Sequence, residues 1–354
     1  MKNFVVGTHI DLYPIENNKI NLYNRNTQKT YIIGEKEAKV ISCLNGEYSV
    51  ASLQEKCPFY SIEEIEKLLQ LFDDIGVFKE KKKFNVFKIR FRLFNPNKII
   101  KSESKVTSFL YYFTIIGCPI IFLFGLIFNL LNQTVFLKNP INVEEIISTY
   151  LAFNFLEWLV IFICSIISLF LHELSHIFSA RFYKVNVPEF GLMLYCFLPV
   201  AYTNVSCINL LKSYKQKMVV ISSGVLSNLA QIGLCYFFVN ICSPYLAAYF
   251  FGIIAVNIGT ILVNCFIFLK FDGYYLLEIM LNEPNLKEKA SMFMKSCIFA
   301  LFTKKNSPYK KIYLEQINFD KNFLQNLMYI IFAILSSVFV PAFIINSLIS
   351  FFSL

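Results

Sequence analysis

Long uncharged apolar runs separated by short polar stretches set the plan of this chain. Residues 108–131 form the first, interrupted only by Pro119. Residues 150–171 form the second, with a single charge, Glu157, near its start. Residues 218–269 carry no charge and exceed one span, which needs about 20 residues to cross a ~30 Å hydrocarbon layer. A polar break at 240–244 divides them into 218–239 and 245–269. Residues 322–354 form the last run, with Pro341 inside it. The shorter run 291–302 is interrupted by Lys295, which suits an interfacial or re-entrant segment. The pattern predicts a mainly α, polytopic transmembrane helical protein of five spans, with six as the alternative.

The first 80 residues follow a different rhythm. Short strands are expected at 5–13, 20–23 and 30–33, separated by Asn-rich turns. Helices are expected at 35–44 and 49–56, around the turn Asn45-Gly46. Ser61-Ile62-Glu63-Glu64 is a capping box that opens a third helix, with apolar Ile62, Ile65, Leu68, Leu69, Phe72 and Ile75, closed by Gly76. Strands followed by three short helices predict a small α+β, winged-helix-like domain over residues 1–80. A basic linker (81–105) joins it to a membrane domain (106–354). Within the linker, Lys88, Arg90 and Arg92 alternate with Ile89, Phe91 and Leu93, as in a linker strand or interfacial segment.

Composition agrees with the pattern: 56% of residues are hydrophobic and only 16% charged, far from the soluble norm. The net charge of +9 comes from juxtamembrane lysines and arginines, so no nucleic-acid partner is expected. Between Lys79 and Lys105 lie ten basic residues against two acids, whereas the loop after the first run sets Lys138 against Glu144 and Glu145. By the positive-inside rule the N-terminal domain is cytosolic. Counting spans from there brings residues 172–176 and 272 to the same, cytosolic, membrane face. The N-terminus lacks a signal-peptide pattern. Ten scattered cysteines without a C-x-x-C pair read as small apolar packers.

The chemistry gathers at the end of the second run, in His172-Glu173-Leu174-Ser175-His176. Positions i and i+4 share a helix face, so both imidazoles reach one Zn²⁺ while Glu173 stands beside its water. Ionisable groups in hydrocarbon are costly and point to a functional site. A zinc hydrolase needs a third protein ligand. The one other histidine, His9, lies in the cytosolic domain. Asp272, at the predicted depth and followed by Gly273, is either that ligand or an interfacial aspartate paired with Lys270.

These residues carry a resemblance. Residues 171–181 (LHELSHIFSAR), 188–206 (PEFGLMLYCFLPVAYTNVS), 224–228 (GVLSN) and 271–275 (FDGYY) together resemble the site-2 protease family of intramembrane zinc metalloproteases, in its peptide zinc metalloprotease branch. The resemblance covers roughly residues 105–350. It implies His172, His176 and Asp272 as zinc ligands and Glu173 as the catalytic glutamate. It also implies Asn264 as a catalytic residue that orients substrate or stabilises an oxyanion. The prolines usual between that asparagine and aspartate are absent, with Ile267 and Leu269 in the stretch. Residues 187–206 are expected to form a membrane-dipping loop with short strands, either binding an unwound substrate by strand addition or lying at the interface without touching substrate.

Residues 1–80 resemble the RiPP recognition element, a PqqD-like winged helix that binds leader peptides, through residues 33–38 leading to 44–46, then 49–53 and 61–76. The combined expectation is an intramembrane zinc metalloendopeptidase of the bacterial cytoplasmic membrane. It would cleave a ribosomally made precursor peptide, or a short membrane-spanning substrate, during maturation or export. Its partners would be that peptide, the lipid bilayer, and a peptide exporter or maturation enzymes. The alternatives are regulated intramembrane proteolysis of a signalling or anti-sigma-factor-like protein, and a non-catalytic membrane adaptor or immunity protein.

Overall fold

The computed structural model describes residues 4–15, 19–24, 29–46, 50–78, 88–134, 143–195, 198–205, 207–208, 211, 213–283, 286–302 and 323–352. The basic run 79–87, the loop around Lys138 and the ends of the last apolar run lie outside them. At the N-terminus β1 (Ile10–Ile15), β2 (Lys19–Asn24) and β3 (Lys29–Gly34) form an antiparallel sheet in that order. The first strand starts five residues later than the apolar pattern predicts. Residues 7–10 turn instead, with the Ile10 amide donating to the Gly7 carbonyl at 3.1 Å, while Val5 bridges to Asn45.

Helices α1 (Glu35–Cys43), α2 (Val50–Lys56) and α3 (Ile62–Asp74) follow. The expected capping box is present: the Ser61 amide donates to the Glu64 carboxylate at 2.8 Å, and the Glu64 amide to the Ser61 hydroxyl at 3.3 Å. Gly76, at φ +77°, ends that segment in a conformation open to glycine. Leu22, Val40, Leu53, Ile65, Leu69 and Phe72 are among the residues of the core that these elements enclose.

After β4 (Lys88–Phe94) and the single turn α4 (Pro96–Ile99), most of the described residues are helical. The first apolar run is α5 (Lys105–Tyr112), a π turn (Phe113–Gly117) and α6 (Cys118–Thr134) without a break. Pro119 has no N–H to give to the preceding turn, and that turn widens rather than breaking.

The second run does not begin as one helix. It splits into α7 (Val143–Ala152) and α8 (Phe155–Phe182). The Asn154 side chain accepts from the amides of Leu156 and Glu157 at 2.9 and 3.3 Å, and the Glu157 carboxylate turns back to the Asn154 amide. Glu157 is thus a capping residue that starts a new helix.

Two further helices, α9 (Tyr214–Ile241) and α10 (Pro244–Asn264), turn about Cys242-Ser243, as the polar break predicts. Beyond them lie α11 (Asp272–Leu281), α12 (Leu286–Phe302) and α13 (Phe323–Phe352).

Among the described residues four helices are long and apolar enough to cross a membrane: Lys105–Asn132, Phe155–Phe182, Tyr214–Ile241 and Pro244–Asn264. In the last apolar run the described apolar stretch Asn326–Val338 falls short of that length. Of the four, α9 is the central helix: 56% of its most apolar window is buried, against 17–22% in the others. Its seat against α6 is set by glycines. A Cβ on Gly125 would come within 1.9 Å of the Gly233 carbonyl oxygen, and one on Gly233 within 2.5 Å of Phe122 Cα. Backbone-to-backbone approach of this kind is how helices associate where lipid removes the hydrophobic driving force.

Helices α8 and α10 run parallel, and polar rungs fix their register. Tyr245 bonds to Glu157 near one end. Ser168 donates to the Asn257 side chain at 3.0 Å in the buried middle. The third rung, Asn264 to His172 at 3.4 Å, closes the far end. The sheet beside these helices is β4–β5–β6, antiparallel, with β5 (Phe190–Tyr195) in the centre and β6 (Leu198–Thr203) outermost. Residues 187–206 therefore hold the short strands expected of them. The basic linker joins as a third strand, pairing with residues about a hundred positions away.

Candidate metal centre

His172 lies seventeen residues into α8, about 26 Å from its start at 1.5 Å per residue. Both imidazoles of the predicted motif are buried. The Nδ1 of His176 faces the Val220 carbonyl at 2.8 Å, and since a carbonyl only accepts, that nitrogen carries the proton. The Nδ1 of His172 donates likewise to Asn228 Oδ1 at 3.2 Å. Each ring is thereby fixed with its Nε2 lone pair turned inward.

The two Nε2 atoms lie 3.2 Å apart, and Asp272 Oδ2 lies 3.1 Å from each. Three acceptors at such separations repel one another unless a cation or proton stands among them. His172, His176 and Asp272 form a group that could hold a metal ion.

Glycine opens the space. A Cβ on Gly224 of α9 would fall 2.5 Å from His172 Cε1, His172 Nε2 and His176 Nε2, so the bare glycine leaves the inward edges of both rings clear. Gly273 shapes the other wall: a Cβ there would meet the Asn264 carbonyl oxygen at 2.7 Å and the Cys265 carbonyl at 2.9 Å. Its absence lets the turn after α10 fold back on the helix end and carry Asp272 to the imidazoles. Asp272 therefore faces the histidines across one hundred residues of chain. Asn264, at the last position of α10, reaches the same cluster despite the missing prolines.

Glu173 stands beside this group. Its carboxylate lies within electrostatic range of His172, His176 and Asp272. Its main-chain carbonyl accepts the Thr203 hydroxyl of β6 at 3.3 Å, which sets the sheet edge against the motif. His9 is buried in the N-terminal core, with Nε2 donating to the Gly76 carbonyl at 2.8 Å.

Sequence reasoning gave no role to four of the groups that shape the site, although Gly224, Asn228 and Thr203 lie in stretches that carry the resemblance. Asn228 and the Val220 carbonyl orient the rings, Gly224 makes room, and Thr203 holds β6 to the motif. The glycine and the asparagine four residues after it were visible in the 224–228 stretch, but their roles need the helix pairing to become readable. No protein-family model, curated protein or solved structure matches this chain, so the reading of its chemistry stands on the geometry of the site.

Proposed function

We propose that this chain is an intramembrane zinc metalloendopeptidase that cleaves a ribosomally made precursor peptide or a short membrane-spanning substrate. The observation that carries the reading is the convergence of two imidazole Nε2 atoms and one carboxylate oxygen within 3.2 Å of one another, with Glu173 beside them. The donor set suits zinc: tetrahedral bonds of ~2.0–2.1 Å place ligand atoms about 3.3 Å apart. His172, His176 and Asp272 would hold the ion, and the remaining position stays open. When bound, zinc supplies Lewis acidity, making water acidic near neutral pH and polarising a peptide carbonyl.

The protein's own residues do the rest. Glu173 takes the proton of the attacking water and returns it to the leaving amine. Asn264 stands beside His172, where its amide can donate to a developing oxyanion. The positive-inside topology sets His172 near the cytosolic face, with a short path for water from that side. Residues 1–80 form the winged-helix-like peptide-recognition domain on that side. In this reading the last run crosses as a fifth span, and the basic linker keeps the N-terminus cytosolic in a bacterial cytoplasmic membrane.

A helical substrate hides its peptide bonds and must unwind to be cut. The outer strand β6 ends at Thr203, against Glu173, and supports binding of the unwound segment by strand addition. Proline in β5 would break the sheet from its centre, so the informative test lies in β6. Pro199 is already accommodated there, which puts its position on the side the β5 ladder does not use. Ala201, two residues on, shares that side. Ala201→Pro should leave zinc content unchanged and cut turnover at least about tenfold. Unchanged turnover removes strand addition from the mechanism.

The activity itself is tested by reconstituting the purified protein in liposomes with membrane-extracted peptides from the cells that make it, followed by mass spectrometry. New fragments should appear, vanish with a zinc chelator and return on adding zinc. A fragment pattern indifferent to chelation refutes the proposal.

A further inference from the structure

The hairpin of β5 and β6 is closed at its open end by one residue. The Asn204 amide N–H donates to the Glu189 carbonyl at 2.9 Å, joining the residue after β6 to the residue before β5. The Asn204 side chain points the other way, and its amide nitrogen donates to the hydroxyl of Tyr23 in β2. Both residues are buried, Tyr23 completely, so water does not compete for that bond. A second tyrosine of the same sheet, Tyr13, lies against Asn95, Arg92 and Cys207, and burial pushes its phenol up to about 12. One residue before Asn204, Thr203 bonds to the main chain of Glu173. A short bonded path therefore runs from the N-terminal sheet to the candidate metal centre: Tyr23, Asn204, Thr203, Glu173.

We infer that the N-terminal domain is part of the scaffold of the site, with Tyr23 and Asn204 acting as positioning residues that clasp the open end of the hairpin and hold β6 in place beside Glu173. The inference builds on the peptidase reading, which gives β6 a substrate to hold. A domain serving only as a tether would have no need of a fully buried tyrosine in a bond to the membrane domain. The clasp makes the geometry of β6 depend on the seat of that domain. Removing the tyrosine hydroxyl loosens the hairpin without touching any group at the metal centre.

The test uses the full-length protein in nanodiscs. Hydrogen–deuterium exchange should show residues 190–203 exchanging about fivefold faster in Tyr23→Phe than in wild type, with α3 and the zinc content unchanged. Asn204→Ala should give the same acceleration, and the double variant no further increase. Because Asn204 lies outside the N-terminal domain, that variant decides the matter if Tyr23→Phe perturbs the domain's own fold. Equal exchange across the hairpin in Asn204→Ala and wild type overturns the inference. With a peptide identified by the liposome experiment, Tyr23→Phe should raise KM several-fold and change kcat less than about twofold. A fall in kcat at constant KM means only a loss of folded protein and also overturns it. If wild type cleaves nothing, the peptidase reading fails, and the exchange measurements still decide the clasp.

Discussion

Glu173→Gln should keep its full complement of zinc and lose about a thousandfold or more of its cleavage activity, the scale of a positioned general base. Glutamine matches glutamate in shape and leaves the three candidate donors in place, but it cannot accept a proton from water. The separation of the two readouts is the strength of the test. Cells carrying wild type and Glu173→Gln should differ in their small peptides, with uncut precursor accumulating in the variant and thereby naming the substrate. Normal processing by Glu173→Gln would falsify the mechanism, and loss of zinc together with activity would assign Glu173 to holding the ion.

Gly224→Ala should empty the site with no loss of helix. A Cβ there lies 2.5 Å from both inward-facing Nε2 atoms, and α9 cannot retreat because Gly233 is already against the backbone of α6. Zinc affinity should fall ~100-fold or more, at the upper end of what disturbing the surroundings of a metal site costs. Alanine is the better helix former by about 1 kcal/mol, so helix content by circular dichroism should be unchanged or higher. Gly259→Ala is the matched control, since a Cβ at Gly259 meets nothing within 4 Å. Asp272→Ala should also weaken zinc retention, by removing a donor rather than filling the space. Wild-type zinc content in both Gly224→Ala and Asp272→Ala would mean that the ion, if any, binds elsewhere.

Much of this was readable from the residues. The uncharged runs located the four long helices, because a lipid-facing helix is apolar over most of its length, but the second helix starts five residues later than its run and continues eleven residues past it, to Phe182. The i, i+4 histidines placed both rings on one face, and the Asp-Gly pair at the end of a span pointed to the carboxylate that meets them. Other features were not readable, for identifiable reasons. The boundary between α7 and α8 rests on a capping box at Asn154 and Glu157, whose four-residue signature was hidden inside an apolar run. The pairing of β4 with β5 joins segments about a hundred residues apart, and short alternating sequences do not specify such distant partners. The roles of Gly224 and Asn228 appear only once α8 and α9 are side by side.

The close approaches at Gly125, Gly233, Gly224 and Gly273 give the protein a lopsided tolerance to change. Its lipid-facing flanks can exchange one bulky apolar side chain for another at little cost, since hydrocarbon accepts any of them. At the four glycines even a single added methyl group meets backbone or a histidine ring. Genetic drift in this molecule is therefore policed most strictly at positions that carry no reactive atom at all.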